Sequence, residues 1–473
     1  MPAYPPEEPA PLAGGAAGPA ALRPLLGTVL DALAEGAAER GGPLPAGGPP
    51  RVAEDLRARL GGTLLTEQGR GPQEALHTIV SALARGAADP AEPHCAAHLH
   101  CPPLALATAA DTAASALNPS MDSWDQAPSA SELEALACAE FAALVFGEGR
   151  GGRADALVTT GGTEANQLAA LLARERAGPG VRLVCGANAH HSVARAAWLL
   201  GLAPPLTVPT PAGVLTSAAL SSALARGRPE EPRLLVATAG TTDTGAIDAL
   251  PEIASVAAEF GVPLHVDAAY GGPLLFSPRL RGLVAGLERA DTVTFDLHKL
   301  GWQPVAAGLL AVRDARRLGS LSHRAEYLNA EDDTEAGLPD LLGRSLRTSR
   351  RPDVVKVAVT LRALGRSGLA ALVERVCDAA REFAELIDDA PEFELRSLPV
   401  LSTVLFRPRG ADAEKVTLVR RRLLAEGRAV LGRARLEDGT WLKATLLNPH
   451  VQHSDFAALL KLVHDAVPEG SNS

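Results

Sequence analysis

Aromatic residues are scarce: three tyrosines, four tryptophans and nine phenylalanines make up 3% of 473 positions. Recognition of nucleic acid by stacking needs aromatics interleaved with a basic stripe, and neither occurs, so no nucleic-acid partner is expected. Cysteine is sparse too. The five cysteines, an odd number spread from Cys95 to Cys377, make no disulfide framework. No uninterrupted apolar run reaches the ~18 residues of a membrane span. The opening residues, Met-Pro-Ala-Tyr-Pro-Pro-Glu-Glu, lack the basic region and apolar core of a secretory signal. A cytoplasmic protein without a membrane partner is expected. Charge of one sign is not concentrated either, since 45 basic and 55 acidic residues are interspersed for a net charge of −10. A hydrophobic content of 47% over this length supports a globular chain of two or three domains.

What is present centres on two phrases, Leu264-His265-Val266-Asp267-Ala268-Ala269-Tyr270-Gly271-Gly272 and Phe295-Asp296-Leu297-His298-Lys299-Leu300-Gly301-Trp302. Each begins as an apolar run, the mark of a strand covered on both faces, and each brings an ionisable residue where the run ends. Parallel sheets carry their sites at the carboxyl ends of strands, so Asp267 and Lys299 are expected on one rim. A primary amine can carry an aldehyde, and a carboxylate can keep a pyridine nitrogen protonated so that the ring draws electrons. Pyridoxal phosphate needs both.

Upstream, a strand over Asp155–Thr159 leads into Thr160-Gly161-Gly162-Thr163-Glu164-Ala165-Asn166 and a helix to about Ala177. Strand, glycine turn and helix start form an anion site, with free N–H groups at Gly162 and Thr163 and a favourable dipole. The turn lacks the Gly-Lys-Ser/Thr ending of a Walker loop and is no dinucleotide fingerprint. Val181–Cys185 is a second strand, leading to Ala189-His190-His191-Ser192-Val193 at a helix start. Leu234–Ala239 is a third, ending in Gly240-Thr241-Thr242-Asp243-Thr244-Gly245-Ala246-Ile247-Asp248, where Asp248 reads as a helix cap. With the Asp267 strand it forms a right-handed βαβ unit.

On these residues the chain resembles the group II pyridoxal-phosphate-dependent amino acid decarboxylases of fold type I, over roughly Pro90 to His464. The phrases Asp-Leu-His-Lys-Leu-Gly-Trp-Gln-Pro and Ala-His-Leu-His-Cys-Pro-Pro are most similar to the branch acting on L-2,4-diaminobutyrate and lysine. The resemblance implies an α/β large domain with a mostly parallel central sheet at residues 91–351. A helical segment at 21–90 would pack on a dimer partner, and a small α+β domain would occupy 352–473, with residues 1–20 flexible. It implies a homodimer with shared active sites, since the loop Asn118-Pro119-Ser120-Met121-Asp122-Ser123-Trp124-Asp125-Gln126 is similar to one that reaches the partner. The plain alternative is a polar loop before a helix from about Ser131 to Phe146, capped by Ser131.

Carried over residue by residue, the resemblance makes Lys299 the cofactor's covalent anchor and Asp267 the partner of the ring nitrogen. His190 would stack on the ring. Gly162, Thr163, Thr242, Ala269, Asp296 and His298 complete the cofactor contacts. Tyr327, within Ala325-Glu326-Tyr327-Leu328-Asn329, would return a proton to the substrate carbon from a long polar stretch (Arg317–Arg351), of a length usual for functional lids or disordered segments. His100, Cys101, Pro102, Asp122 and Lys443 would line the substrate pocket.

Departures from the aromatic branch bear on the substrate. His100 and Cys101 stand where that branch carries bulky rings, Val305 replaces an aromatic, and Lys443 replaces an arginine and loses its bidentate fork. A small basic amino acid is therefore expected to lose CO2. Metal is not expected, because the spacing in His94-Cys95-Ala96-Ala97-His98-Leu99-His100-Cys101 suits neither a structural zinc nor a helical His pair. Two other readings are an oxidative decarboxylase that releases an aldehyde, disfavoured by Tyr327, and a non-catalytic scaffold, disfavoured by Lys299 and Asp267. Beyond Pro352, helices at about 353–364 and 367–388 are expected, then strands near 392–398, 403–406 and 441–446. Helices near 413–426 and 455–464 complete the pattern. Gly41–Pro50 reads as flexible.

Overall fold

The computed structural model describes residues 10–147, 154–228, 230–322 and 331–468, and for Glu331 and Asp333 the backbone alone. The chain divides into two compact units: Pro103–Ala380 with Pro399–Thr403, and Met1–Pro102 with Arg381–Leu398 and Val404–Ser473.

The second of these begins with α1 (Gly18–Arg40), α2 (Gly48–Leu60) and α3 (Pro72–Gly86). Gly48-Pro49-Pro50, expected to be flexible, instead open α2. Proline is tolerated in a first turn, where its missing N–H would have no helical partner.

The large unit carries α4 (Ala105–Leu117), α5 (Pro128–Phe146), β1 (Asp155–Thr159), α6 (Gly162–Ala177), β2 (Arg182–Gly186), α7 (Ser192–Leu199) and β3 (Leu206–Val208). There follow α8 (Ser217–Ala225), β4 (Arg233–Thr238), α9 (Leu250–Glu259), β5 (Leu264–Asp267), β6 (Thr292–Asp296), β7 (Gly308–Val312), α10 (Glu331–Glu335) and α11 (Val354–Asp388), of which residues to Ala380 belong here. Ser131 is not a cap. It lies inside α5, its hydroxyl donating back to Ala127 O at 2.9 Å, because Pro128 already begins the helix. α11 breaks at Gly365, where φ is 62°, close to the expected boundary between two helices.

Seven strands form one sheet in the order β1-β7-β6-β5-β4-β2-β3. β7 is antiparallel to both β1 and β6, and the remaining pairs are parallel, so the sheet is mostly parallel as expected. β4, β5, β6 and β7 are buried at every position, consistent with a sheet covered on both faces. One side of the core packs Leu168 and Leu172 of α6 on Leu157 and Leu310; another packs Val193 and Ala196 of α7 on Leu183 and Val236. Each leucine so buried contributes roughly 1.5–3 kcal/mol. The carboxyl ends of β1, β2, β4, β5 and β6 share one rim.

Asp248 is not a helix cap, and α9 begins without one. Its carboxylate instead accepts from Asn188 Nδ2, Leu215 N and Thr238 N, each at 2.7 Å, tying the segments at Asn188 and Leu215 to the end of β4. Three donors satisfy a 3% exposed carboxylate better than one helix end would.

In the small unit a four-stranded sheet has the order β10-β11-β9-β8, from β8 (Phe393–Leu395), β9 (Thr403–Pro408), β10 (Gly432–Leu436) and β11 (Gly439–Thr445). It packs with α12 (Ala413–Ala425), capped by Asp412, and α13 (His453–Asp465). The segment before Pro102 joins this unit through Ala96 N to Val430 O at 2.9 Å and Thr445 N to Ala96 O at 2.7 Å. Among the described residues no helix is long and apolar enough to cross a membrane.

Candidate active site

The site assembles where five strands of the large sheet end. After β1 the chain turns at Gly161, whose φ of 154° favours glycine, and a Cβ there would lie 2.7 Å from His298 Cε1. A Cβ on Gly162 would stand 3.0 Å from Ala269 Cβ and 3.1 Å from Asp296 Oδ2. The two glycines thus leave the first turn of α6 bare, its N–H groups without helical partners. Thr163 is exposed beside them. Glu164 folds back to accept from Thr160 N at 2.6 Å, which steadies the turn.

After β6 the chain makes a tight loop fastened by Leu297 N and His298 N to Ala307 O and by Gln303 N to Leu297 O at 3.0 Å. His298 Nδ1 donates to Ala307 O at 3.0 Å. Lys299 Nζ lies 3.1 Å from Asp296 Oδ2 and His298 Nε2 lies 3.6 Å from the same oxygen. The other oxygen of this carboxylate, Asp296 Oδ1, is buried and without a partner among the described residues. A buried acceptor of this kind calls for a donor beyond the described residues, and a bound ligand could supply it.

Asp267 closes β5, 6% exposed. It accepts from Asn166 Nδ2 at 2.7 Å and from Ala269 N at 3.1 Å. The two donors fix the carboxylate's orientation as an acceptor that can face a cation. His190, after β2, has its ring centroid 4.1 Å from that of the exposed His191. Burial pushes its pKa down, against the opposing pull of Asp267; His191 and Lys299 lower it further and Asp296 raises it. The structure therefore brings Gly162, Ala269, Asp296, His298, Lys299, Asp267 and His190 together. Thr242 stands exposed in the turn after β4.

A bare helix start for a phosphate, an amine for an aldehyde, a buried carboxylate for a ring nitrogen and a flat imidazole are the donor set that pyridoxal phosphate requires. The residues fit the group.

Asp122 is buried, accepts from Gln126 Nε2 at 2.8 Å, and follows Met121, whose N–H donates to Arg350 O at 2.9 Å. Arg350 in turn forms a bidentate pair with Glu134 at 2.6 and 2.7 Å. His100, Cys101, Pro102 and Lys443 belong to the small unit. There Cys101 is buried and Lys443 is 8% exposed on β11, its charge helping to lower the pKa of His98, which burial depresses first. Val305 is exposed. Tyr327 lies outside the described residues. Among the described residues no group of three or more His, Cys, Asp or Glu is placed to hold a metal.

Four side chains escaped the sequence reading: Asn166, Ser192, His265 and Thr294. Their signal was periodicity. Asn166 is one helical turn beyond Gly162, and His265 precedes Asp267 by two on a strand, so each shares a face with a candidate residue. The register pairs His265 with Thr292 and Asp267 with Thr294, which places these four polar residues on one face of the sheet.

Comparison with known proteins agrees with this chemistry. Residues 67–409 match the pyridoxal-dependent decarboxylase conserved domain. The chain is 41% identical over 407 residues to the L-2,4-diaminobutyrate decarboxylase of Rhizobium meliloti (strain 1021), covering 81% of this chain and 80% of that protein. It is 30% identical over 449 residues to the L-2,4-diaminobutyrate decarboxylase of Acinetobacter baumannii, covering 86% and 87%. A solved structure from Vibrio parahaemolyticus is also similar: the glutamate decarboxylase domain of diaminobutyrate-pyruvate transaminase and L-2,4-diaminobutyrate decarboxylase. It superposes with a TM-score of 0.83 at 30% identity, over 96% of this chain and 97% of that one. The chain therefore belongs to the pyridoxal-dependent decarboxylase family, as a group II carboxy-lyase of fold type I that uses pyridoxal phosphate to decarboxylate an amino acid.

Proposed function

We propose that the substrate is L-2,4-diaminobutyrate or a basic amino acid of similar size, converted to its diamine and CO2. The observation that carries this reading is the 41% identity to a diaminobutyrate decarboxylase along 81% of the chain. His100, Cys101 and Val305 in place of bulky rings, together with the buried Asp122, support a small cationic side chain over a flat aromatic one.

When bound, pyridoxal phosphate supplies an aldehyde for the substrate amine and a protonated ring that takes up the electron pair released with CO2. The first turn of α6 at Gly162 and Thr163 would hold the phosphate. Asp267 would hold the proton on the ring nitrogen, and His190 would present its flat face to the ring. Asp296 would keep the Lys299 amine in place while it is not engaged, and Lys299 must shed its proton before it can act as a nucleophile. Lys443 would take an anionic group as a point charge. The bond from the α-carbon to the carboxylate breaks, CO2 leaves, and the α-carbon receives a proton; Tyr327 is assigned that donation on resemblance alone.

The catalytic unit in this reading is a cytoplasmic homodimer. Leu30 and Leu33 of α1 and Ile79 and Leu83 of α3 are exposed, apolar surface that a second copy would cover. All five cysteines are free, in keeping with a reducing compartment.

The test is incubation of the purified protein with diaminobutyrate, ornithine, lysine, aspartate, glutamate and tyrosine, with amines identified by mass spectrometry and oxygen uptake recorded. The highest kcat/KM is expected for diaminobutyrate with no oxygen consumed. Preference for an acidic or aromatic amino acid overturns the substrate, and stoichiometric oxygen uptake with aldehyde overturns the non-oxidative outcome.

A further inference from the structure

Asn166, 3% exposed on α6, lies at the centre of a buried hydrogen-bond network that joins the two residues assigned to the cofactor ring. Its amide stands 2.7 Å from Asp267 Oδ2. Its Nδ2 is the atom turned to that oxygen, so the NH2 end faces Asp267. The second N–H donates to Ser192 Oγ at 2.8 Å. The carbonyl end therefore faces His265 Nε2 at 2.9 Å and Thr294 Oγ1 at 2.7 Å, and both must donate. Every hydrogen-bonding position of the amide is filled.

That polarity propagates in two directions. His265 carries its proton on Nε2, and its Nδ1 accepts from Thr292 Oγ1 at 2.9 Å. Burial pushes the His265 pKa down to about 4 although Asp267 opposes it, so the ring is a neutral donor. On the other side, Ser192 N–H is directed at His190 Nδ1 at 3.4 Å, which makes that nitrogen an acceptor, so Ser192 Oγ, itself accepting from Asn166, donates to it at 2.8 Å. With two donors on Nδ1, His190 holds its proton on Nε2.

We propose that Asn166 is a positioning residue that acts on two groups at once: it orients the Asp267 carboxylate through Oδ2 and, through Ser192, holds His190 with its proton on Nε2. The inference rests on Asp267 and His190 being the residues that face the cofactor. One amide thus governs the residue assigned to the ring nitrogen and the residue assigned to the ring face. The charged and titratable groups acting on His190 are Asp267, His191, Lys299 and Asp296, and Asp267 also acts on His265.

The experiment uses the full chain, freed of cofactor and labelled with [15N]histidine, and reads two quantities: the tautomer of His190 by long-range 15N–1H NMR, assigned with His190→Gln, and pyridoxal phosphate affinity by equilibrium dialysis. Wild type should show His190 protonated on Nε2 alone. Asn166→Ala should weaken pyridoxal phosphate binding about tenfold or more and mix the His190 tautomers. Ser192→Ala should mix the tautomers while changing affinity less than about threefold, and Ser192→Thr should restore the single tautomer. A residue needed only for folding would lower the melting temperature and leave the tautomer of the folded protein unchanged, which overturns the proposal. Wild-type affinity in Asn166→Ala, or an unmoved tautomer in Ser192→Ala, overturns it as well. Asp267→Ala separates the two levels. If that variant binds pyridoxal phosphate normally, the placement of Asp267 fails; if it binds weakly and Asn166→Ala does not, only the present inference fails.

Discussion

Lys299 and Asp296 make the closest ion pair at the site, 3.1 Å between an amine 19% exposed and a carboxylate 2% exposed. The pair holds Nζ in place, so the lysine is anchored when it is not bonded to an aldehyde. Lys299→Ala removes both the covalent anchor and the amine. Its kcat should fall by at least about 10³-fold, or ~4 kcal/mol of barrier, with the melting temperature little changed. Borohydride treatment of wild type should fix the pyridoxyl group on Lys299, and a peptide map showing label on another lysine would remove this assignment. Tyr327 is the second test at this scale. If it donates the proton, Tyr327→Phe should cut amine formation by about 10²-fold, the usual scale for losing a positioned acid. Aldehyde and peroxide should rise in its place. Wild-type amine output without oxygen consumption from this variant would exclude Tyr327 and direct attention to His191.

At the scale of elements, the turn between β1 and α6 is the most constrained part of the site. Gly161→Ala would force a Cβ into His298 Cε1 at 2.7 Å and hold an L-residue at φ 154°. Pyridoxal phosphate affinity should drop by about tenfold or more while the substrate KM of the loaded fraction changes little; unchanged affinity would mean that the turn does not shape the phosphate site. The elements around this turn were largely legible, because β4 is mostly apolar, β5 and β6 each end on an ionisable residue, and α6 begins with glycines and ends before Gly178. Less legible elements have physical reasons. β10 alternates glycine and alanine with arginine, so its buried face carries almost no apolar bulk. α2 opens on Gly-Pro-Pro, which composition reads as loop although the first turn accepts proline. Asp248 looked like a cap because it precedes a helix, whereas its three partners come from distant segments that only the fold brings together. Asn166 was passed over for the same reason: its four partners are Asp267, Ser192, His265 and Thr294, spread over more than a hundred positions of sequence.

For the whole molecule, the buried polar face of the sheet couples stability to pH. His265 is 1% exposed and sits between Thr292, hydrogen-bonded to Nδ1, and Asn166, which accepts from Nε2, so a second proton on the ring would be held away from water. In the unfolded chain this histidine titrates near 6.5, and in the folded chain burial holds it neutral to about 4. Between those values the unfolded chain binds a proton that the folded chain refuses. The stability is thus complete above pH 6.5 and is lost as pH falls toward 4, by roughly 3 kcal/mol in all at 1.36 kcal/mol per pH unit. His265→Gln cannot take up a proton. It should melt several degrees below wild type at pH 7.5, because the network loses its fit, yet its melting temperature should decline less steeply between pH 6.5 and pH 4.5. Circular-dichroism melts of the cofactor-free chain across that range measure the difference directly. Parallel declines in the two proteins would show that His265 already shares its proton in the folded state, and the hydrogen-bond polarity derived around Asn166 would then have to be reversed.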